Sequence, residues 1–246
     1  MIKLILKVLT SISLCVFTVT SHANPIRFGV IDFYPPFVFS SKSQPTYGFD
    51  IEVAKALCQQ LKTECTFTSM PLNQLFSSLA ANQIDAIMGA ISLTPERKLA
   101  YAFTRPYLRS TMDYVTLTNT NLNVDNLQGK RVGVVKDSTF YNYLRNKYEG
   151  AIQLVTYGTN QEVVTALSNN EVDIILLDSP AANYWIKYSA GVLKSVGTPT
   201  FLPFDEGYAI LLKKDNTALT GALNQALNTI IQNGTFAKIK SSYFSN

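Results

Sequence analysis

A weak internal repeat constrains this chain more than any other feature. The run Leu79-Ala80-Ala81-Asn82-Gln83-Ile84-Asp85-Ala86-Ile87-Met88 matches Leu167-Ser168-Asn169-Asn170-Glu171-Val172-Asp173-Ile174-Ile175-Leu176 in its order of leucine, asparagine, aspartate and apolar residues. Each copy reads as a helix end, a turn and a buried parallel strand. A second echo pairs Arg27-Phe28-Gly29-Val30 with Arg131-Val132-Gly133-Val134. Two similar α/β lobes are the simplest account of both echoes. Around them, short β-rich runs alternate with helical patterns, as in parallel sheets built from βαβ units. Ile26 to Ile31 reads as a strand. Asp50 to Leu61 reads as a helix with Ile51, Ala54, Leu57 and Leu61 on one face, and Cys65 to Thr68 as the next strand.

The first residues are set aside before the rest is read as fold. Lys3 and Lys7 precede an apolar run from Val8 to Val19, and Ser21-His22-Ala23 supplies the small-x-small pattern of a cleavage site. Residues 1–23 are thus expected to be a signal peptide, leaving Asn24 first. The run falls short of the roughly 20 apolar residues of a membrane-spanning helix. Cys15 lies in the discarded segment, and Ile12-Ser13-Leu14 before it lacks the small residue of a lipidation site. Cys58 and Cys65 remain, an even pair in an oxidising compartment, and are expected to form a disulfide.

Charge and composition narrow the function. The net charge is +4, and the two lysines of the signal segment account for half of it, so the mature chain stands near +2. That is no nucleic-acid footprint. With 47% hydrophobic and 15% charged residues the chain can bury a sizeable core.

In open α/β sheets, ligands gather beyond the carboxyl ends of the strands. After the repeated strands stand Gly89-Ala90-Ile91-Ser92, leading to Thr94-Pro95-Glu96-Arg97, and Leu177-Asp178-Ser179-Pro180. Thr94 and Pro95 read as the N-cap and first position of a helix. Arg97 then falls in its first turn, where a cation opposes the helix dipole unless an anion sits beside it. A ligand carboxylate shared by Arg97, the Ser92 hydroxyl and backbone N–H groups fits; so does an exposed arginine paired with Glu96. Asp178 is placed either to accept an α-ammonium group or to cap a helix, a task Ser179 can also perform. Thr139 can offer its hydroxyl or N–H to a carboxylate, with capping by Asp137 or Ser138 as the plainer reading. Tyr34 and Leu72 can cover a ligand side chain or belong to the core.

Several motifs, in order and spacing, resemble the polar amino-acid family of periplasmic binding proteins. They are Gly48-Phe49-Asp50-Ile51, Ala54-Lys55-Ala56-Leu57-Cys58 with Cys65, Ile84-Asp85-Ala86-Ile87, Thr94-Pro95-Glu96-Arg97, Leu127-Gln128-Gly129-Lys130-Arg131-Val132-Gly133 and Asn233-Gly234-Thr235-Phe236. The similarity spans essentially the whole mature chain. It implies the type II two-lobed α/β fold, two parallel-sheet lobes joined by two hinge strands, with residues 24–111 and 206–246 in lobe 1 and residues 112–205 in lobe 2. It implies that Arg97 clamps the ligand carboxylate, Asp178 holds the ammonium, Ser92 and Thr139 add polar contacts, Gly89 and Ala90 lie beside the ligand, and Tyr34 and Leu72 sandwich its side chain. Ile31 and Leu72 depart from the pattern: lysine- and glutamine-binding relatives place an aspartate at the first position, and many relatives carry an aromatic ring at the second.

The resulting expectation is a monomeric periplasmic protein that binds a free amino acid for an ABC permease of the inner membrane, with no cofactor, metal or nucleic acid. Arginine ranks first, then glutamine or histidine, then lysine and ornithine. A Ser-His or Cys-His nucleophile system is excluded, because the one histidine, His22, falls in the signal segment. Two other classes share the fold, a carboxylate-dependent dehydratase and the sensor module of a receptor. Receptor modules are normally followed by a membrane span, and none is read before Asn246.

Overall fold

The computed structural model describes residues 24–41 and 43–244. The expected signal peptide, its cleavage site and Cys15 lie outside the described residues. In the first lobe the chain runs β1 (Ile26–Ile31), α1 (Phe49–Gln60), β2 (Cys65–Met70), α2 (Leu72–Ala80), β3 (Ala86–Met88), α3 (Pro95–Ala100) and β4 (Tyr101–Phe103). The second lobe holds β5 (Met112–Leu117), β6 (Arg131–Val135), α4 (Thr139–Tyr148), β7 (Gln153–Tyr157), α5 (Asn160–Ser168), β8 (Ile174–Asp178), α6 (Ser179–Tyr188) and β9 (Leu193–Thr200). The chain then returns through β10 (Leu211–Lys213), α7 (Thr217–Gln232) and α8 (Thr235–Phe244).

The two sheets share one topology, β2-β1-β3-β10-β4 and β7-β6-β8-β5-β9. In each, the first three strands are parallel. The fourth, the strand entered after the chain crosses between lobes, is antiparallel to both neighbours. This is the two-lobed α/β fold of periplasmic binding proteins. The crossings, between Phe103 and Met112 and between Thr200 and Leu211, lie side by side: the Tyr107 N–H donates to the Tyr208 carbonyl at 2.8 Å and the Tyr208 N–H to the Leu108 carbonyl at 2.7 Å.

The sequence echoes have a physical cause. The Asp85 carboxylate accepts from the Arg27 backbone N–H at 2.9 Å, from Nε at 3.0 Å and from Nη2 at 2.8 Å. Asp173 holds Arg131 by the same three groups, at 2.8, 3.4 and 2.7 Å. Each pair fastens the turn after one helix to the start of the neighbouring parallel strand. Asn82 and Asn170, at φ 58° and 60°, make the matching left-handed turns.

α1 is buried more widely than the one face read from its spacing: Phe49, Asp50, Val53, Ala56 and Cys58 are also inside. The cause is a second cover, since α7 and α8 pack against α1, with Leu223, Leu227 and Ile230 of α7 in the core. Cys58 and Cys65 form a disulfide with their Cα atoms 6.0 Å apart. It ties the end of α1 to the first residue of β2, as expected.

Candidate functional site

The ends of β3 and β8 face one cleft. Past β3 the chain turns through Gly89 and Ala90, with φ 135° and 52°. A Cβ on Gly89 would sit 3.1 Å from the Ile31 backbone nitrogen, in a conformation that L side chains rarely adopt, so the turn requires glycine. The Ala90 N–H donates to Asp50 Oδ2 at 2.6 Å. A residue in the first turn of α1 thereby holds the turn that walls the cleft.

Tyr34, Leu72, Ala90, Ser92, Arg97, Thr139 and Asp178 all line a single cavity between the lobes. Gly89 does not; it stands behind the wall, against β1. On the first lobe, Thr94 caps α3 by accepting from the Arg97 N–H at 3.3 Å, with Pro95 next. The half-buried Arg97 side chain bends back so that Nη1 donates to the Ser92 carbonyl at 3.0 Å, and its guanidinium lies 5.5 Å from the Phe76 ring centroid. Arg97 forms no ion pair among the described residues, so the alternative pairing with Glu96 is not made. Burial lowers its pKa, and Asp205 and Glu96 oppose that shift; a guanidinium stays charged regardless. The Ser92 hydroxyl is engaged elsewhere, donating to Asp205 Oδ2 at 2.6 Å.

On the second lobe, Asp178 begins α6 without capping it. Its buried carboxylate accepts instead from two tyrosine hydroxyls, Tyr34 of the first lobe and Tyr208 of the returning crossing. Burial raises this carboxyl to about 7, the Tyr208 and Tyr34 hydrogen bonds pull it down, and Asp205 pushes it up. Ser138 caps α4, accepting from the Tyr141 N–H at 3.1 Å. That leaves Thr139 at the first helical position, its hydroxyl without a hydrogen bond to any described residue.

Asp50 and Tyr208 escaped the sequence reading as site components, and Asp32 entered it only as an acid that could reach the pocket if lysine bound more tightly than arginine. Asp50 lies fully inside, its carboxyl raised to about 7 by burial and pulled down by Ala90, Tyr107 and Gly89, while Asp178 pushes it up. Tyr208 lies on a crossing and carries no motif. Asp32 lines the cavity one residue beyond Ile31; an acid next to the position where relatives carry one was the available signal.

Two lobes of like topology, with strand ends of both feeding one cavity, define a bilobal solute-binding protein. Residues 26–246 match the bacterial extracellular solute-binding proteins, family 3, and the chain belongs to that family. It is 34% identical over 227 residues to the ABC transporter arginine-binding protein 1 of Escherichia coli K12, covering 91% of this chain and 92% of that one. It is 32% identical over 226 residues to the histidine-binding periplasmic protein of the same organism, covering 89% and 87%. Among solved structures, a Salmonella typhimurium periplasmic binding protein studied for its high arginine specificity superposes with a TM-score of 0.85. That match has 29% identity and covers 91% of this chain and all of the other. The family and these relatives are binding proteins, all three relatives being named for transport or the periplasm, and not enzymes.

Proposed function

We propose that this protein captures a free α-amino acid in the periplasm, arginine before others, and delivers it unaltered to an ABC permease of the inner membrane. The observation that carries this reading is the meeting in one cavity of the Arg97 guanidinium and the Asp178 carboxylate, from opposite lobes. An α-amino acid carries the complementary pair of charges on adjacent atoms. Arg97 takes the carboxylate, supported by the free Thr139 hydroxyl across the cleft, and Asp178 takes the ammonium. Ala90 lies beside the ligand, and Gly89 shapes the turn behind it. Ser92 acts through Asp205 and through its carbonyl, which aims Arg97.

Tyr34 and Leu72 bring a ring and an aliphatic side chain to the same cavity, surfaces suited to a planar guanidinium and its methylene chain. The names of the arginine-binding relatives support the same choice. Lobe 1 comprises residues 24–111 and 206–246 and lobe 2 residues 112–205. The two close on the ligand as a hinge, each supplying half of the grip. The protein acts as a monomer after removal of residues 1–23.

A thermal-shift screen of the mature chain against the common amino acids tests this reading. A ligand at 100 times its dissociation constant stabilises by about 2.7 kcal/mol, so arginine should give the largest rise in midpoint. No shift with any α-amino acid would refute it.

A further inference from the structure

We propose that Asp32 forms a second anionic subsite in the cavity and selects ligands whose side chain ends in a cation. The inference rests on the reading of the cavity as an amino-acid site.

Asp32 directly follows β1. Its N–H donates to the Met70 carbonyl at the end of β2, at 3.1 Å, and Ser69 donates its hydroxyl to Oδ1. Both contacts fix the carboxylate at the carboxyl ends of two adjacent parallel strands. Asp32 lines the same cavity as Arg97 and Asp178 and also an adjoining one with Ser40, Ser69 and Gln161. Thr159, from the second lobe, lines both as well, so this pair of residues marks the junction of the two spaces. Asp32 Oδ2 has no hydrogen-bond or ion-pair partner among the described residues.

The charges around the cavity are then one cation, Arg97, and two carboxylates, Asp178 and Asp32. An α-amino acid with a neutral side chain answers the first two and leaves the third facing an uncharged group. A side-chain cation answers all three. The amino end of α5 does not supply that charge, because the Glu162 carboxylate of its own first turn already sits on it, in a capping box with Thr159. Glu162 Oε2 accepts from the Gly158 N–H at 2.8 Å and from the Thr159 N–H at 3.1 Å. Ile31 and Phe140 give the cavity apolar wall suited to the methylenes between the two ends of such a ligand. Lysine and ornithine therefore rank ahead of glutamine, reversing the order that Ile31 alone implies.

Citrulline tests this, since it replaces the guanidinium of arginine by a neutral ureido group of nearly the same shape. Arginine and citrulline are titrated calorimetrically into the wild-type protein, Asp32→Asn and Ser69→Ala. The wild type should prefer arginine by about tenfold or more, the value of a charge-assisted contact. Asp32→Asn should lose most of that preference while citrulline affinity changes less than about threefold, which also reports an intact fold. Ser69→Ala should lose a smaller part of it. Equal wild-type affinities for the two ligands, an unchanged preference in Asp32→Asn, or an equal loss of both ligands in that variant would overturn the subsite. Failure of the wild type to bind either ligand would instead overturn the amino-acid reading itself.

Discussion

The Tyr34 hydroxyl, from the loop after β1, donates to the Asp178 carboxylate at the end of β8 in the other lobe. Tyr208, on the crossing that returns to the first lobe, donates to the second oxygen of the same carboxylate. The acid offered to a ligand ammonium is thus held by both lobes and by the segment that joins them, and its ionisation is coupled to their arrangement.

Binding should depend on pH around neutrality. Burial holds the Asp178 carboxyl at about 7, and an ammonium beside it favours the charged form. Amino-acid uptake near that pH therefore expels a proton. Affinity should fall as the pH drops below 7, approaching roughly tenfold per pH unit. Calorimetry in two buffers of different ionisation heat reads the proton directly, and an identical heat in both would exclude the linkage.

Tyr34→Phe removes one donor from Asp178 and so raises its carboxyl further. The midpoint of the pH dependence should move upward, and binding at pH 7 should weaken by about 1.5–3 kcal/mol, the worth of a hydrogen bond to a charged group. A weaker affinity with an unmoved midpoint would mean that Tyr34 acts by shape alone.

Stability without ligand should also depend on pH, with the sign set by buried acids. Asp50 and Asp178 are raised from 3.8 to about 7. Between those values the folded chain binds more protons than the unfolded one, so stability is fully present below pH 3.8 and is lost as the pH rises through 7. Asp85 and Asp173 are lowered by their arginines and act in the opposite sense, but only below the ordinary carboxylate range. Urea midpoints should therefore fall from pH 5.5 to pH 8, and Asp50→Asn should flatten the slope. A midpoint that rises over this interval would contradict the assignment.

The repeated Arg-Asp pairs make an ordered prediction. Asp85→Ala removes the acceptor for both the Arg27 guanidinium and its backbone N–H, whereas Arg27→Ala removes only the guanidinium. The first should lower the unfolding midpoint more than the second, and Asp173→Ala more than Arg131→Ala. Equal effects would show that the exposed ion pair, and not the backbone contact, does the fastening.

Much of this was legible in the sequence because it is local or repeated. β1 was read at its observed ends, α1 was displaced by a single residue, and the Thr94-Pro95 helix start follows from the chemistry of two adjacent residues. The repeat exposed the two strand ends that face the cleft. Asp50 was not legible, because an acid in the first turn of a helix is the usual exposed partner of the helix dipole. Its burial is decided by the Gly89-Ala90 turn, far along the chain. Tyr208 was missed for the same reason, its role being fixed by where the second crossing passes. Asp32 was passed over for Ile31 because alternation along a strand sends neighbours to opposite faces; β1 ends at Ile31, and beyond it both side chains reach the cavity.

The central claim is that opposite lobes grip the two charged groups of one α-amino acid, and titration of arginine into the wild-type protein and Arg97→Ala, side by side, tests it most directly. The account predicts saturable one-to-one binding in the wild type. In the variant it predicts a loss of about 3–5 kcal/mol, the cost of stranding one charge of a buried pair, with an unfolding midpoint close to that of the wild type. Near-normal arginine affinity in Arg97→Ala would contradict it.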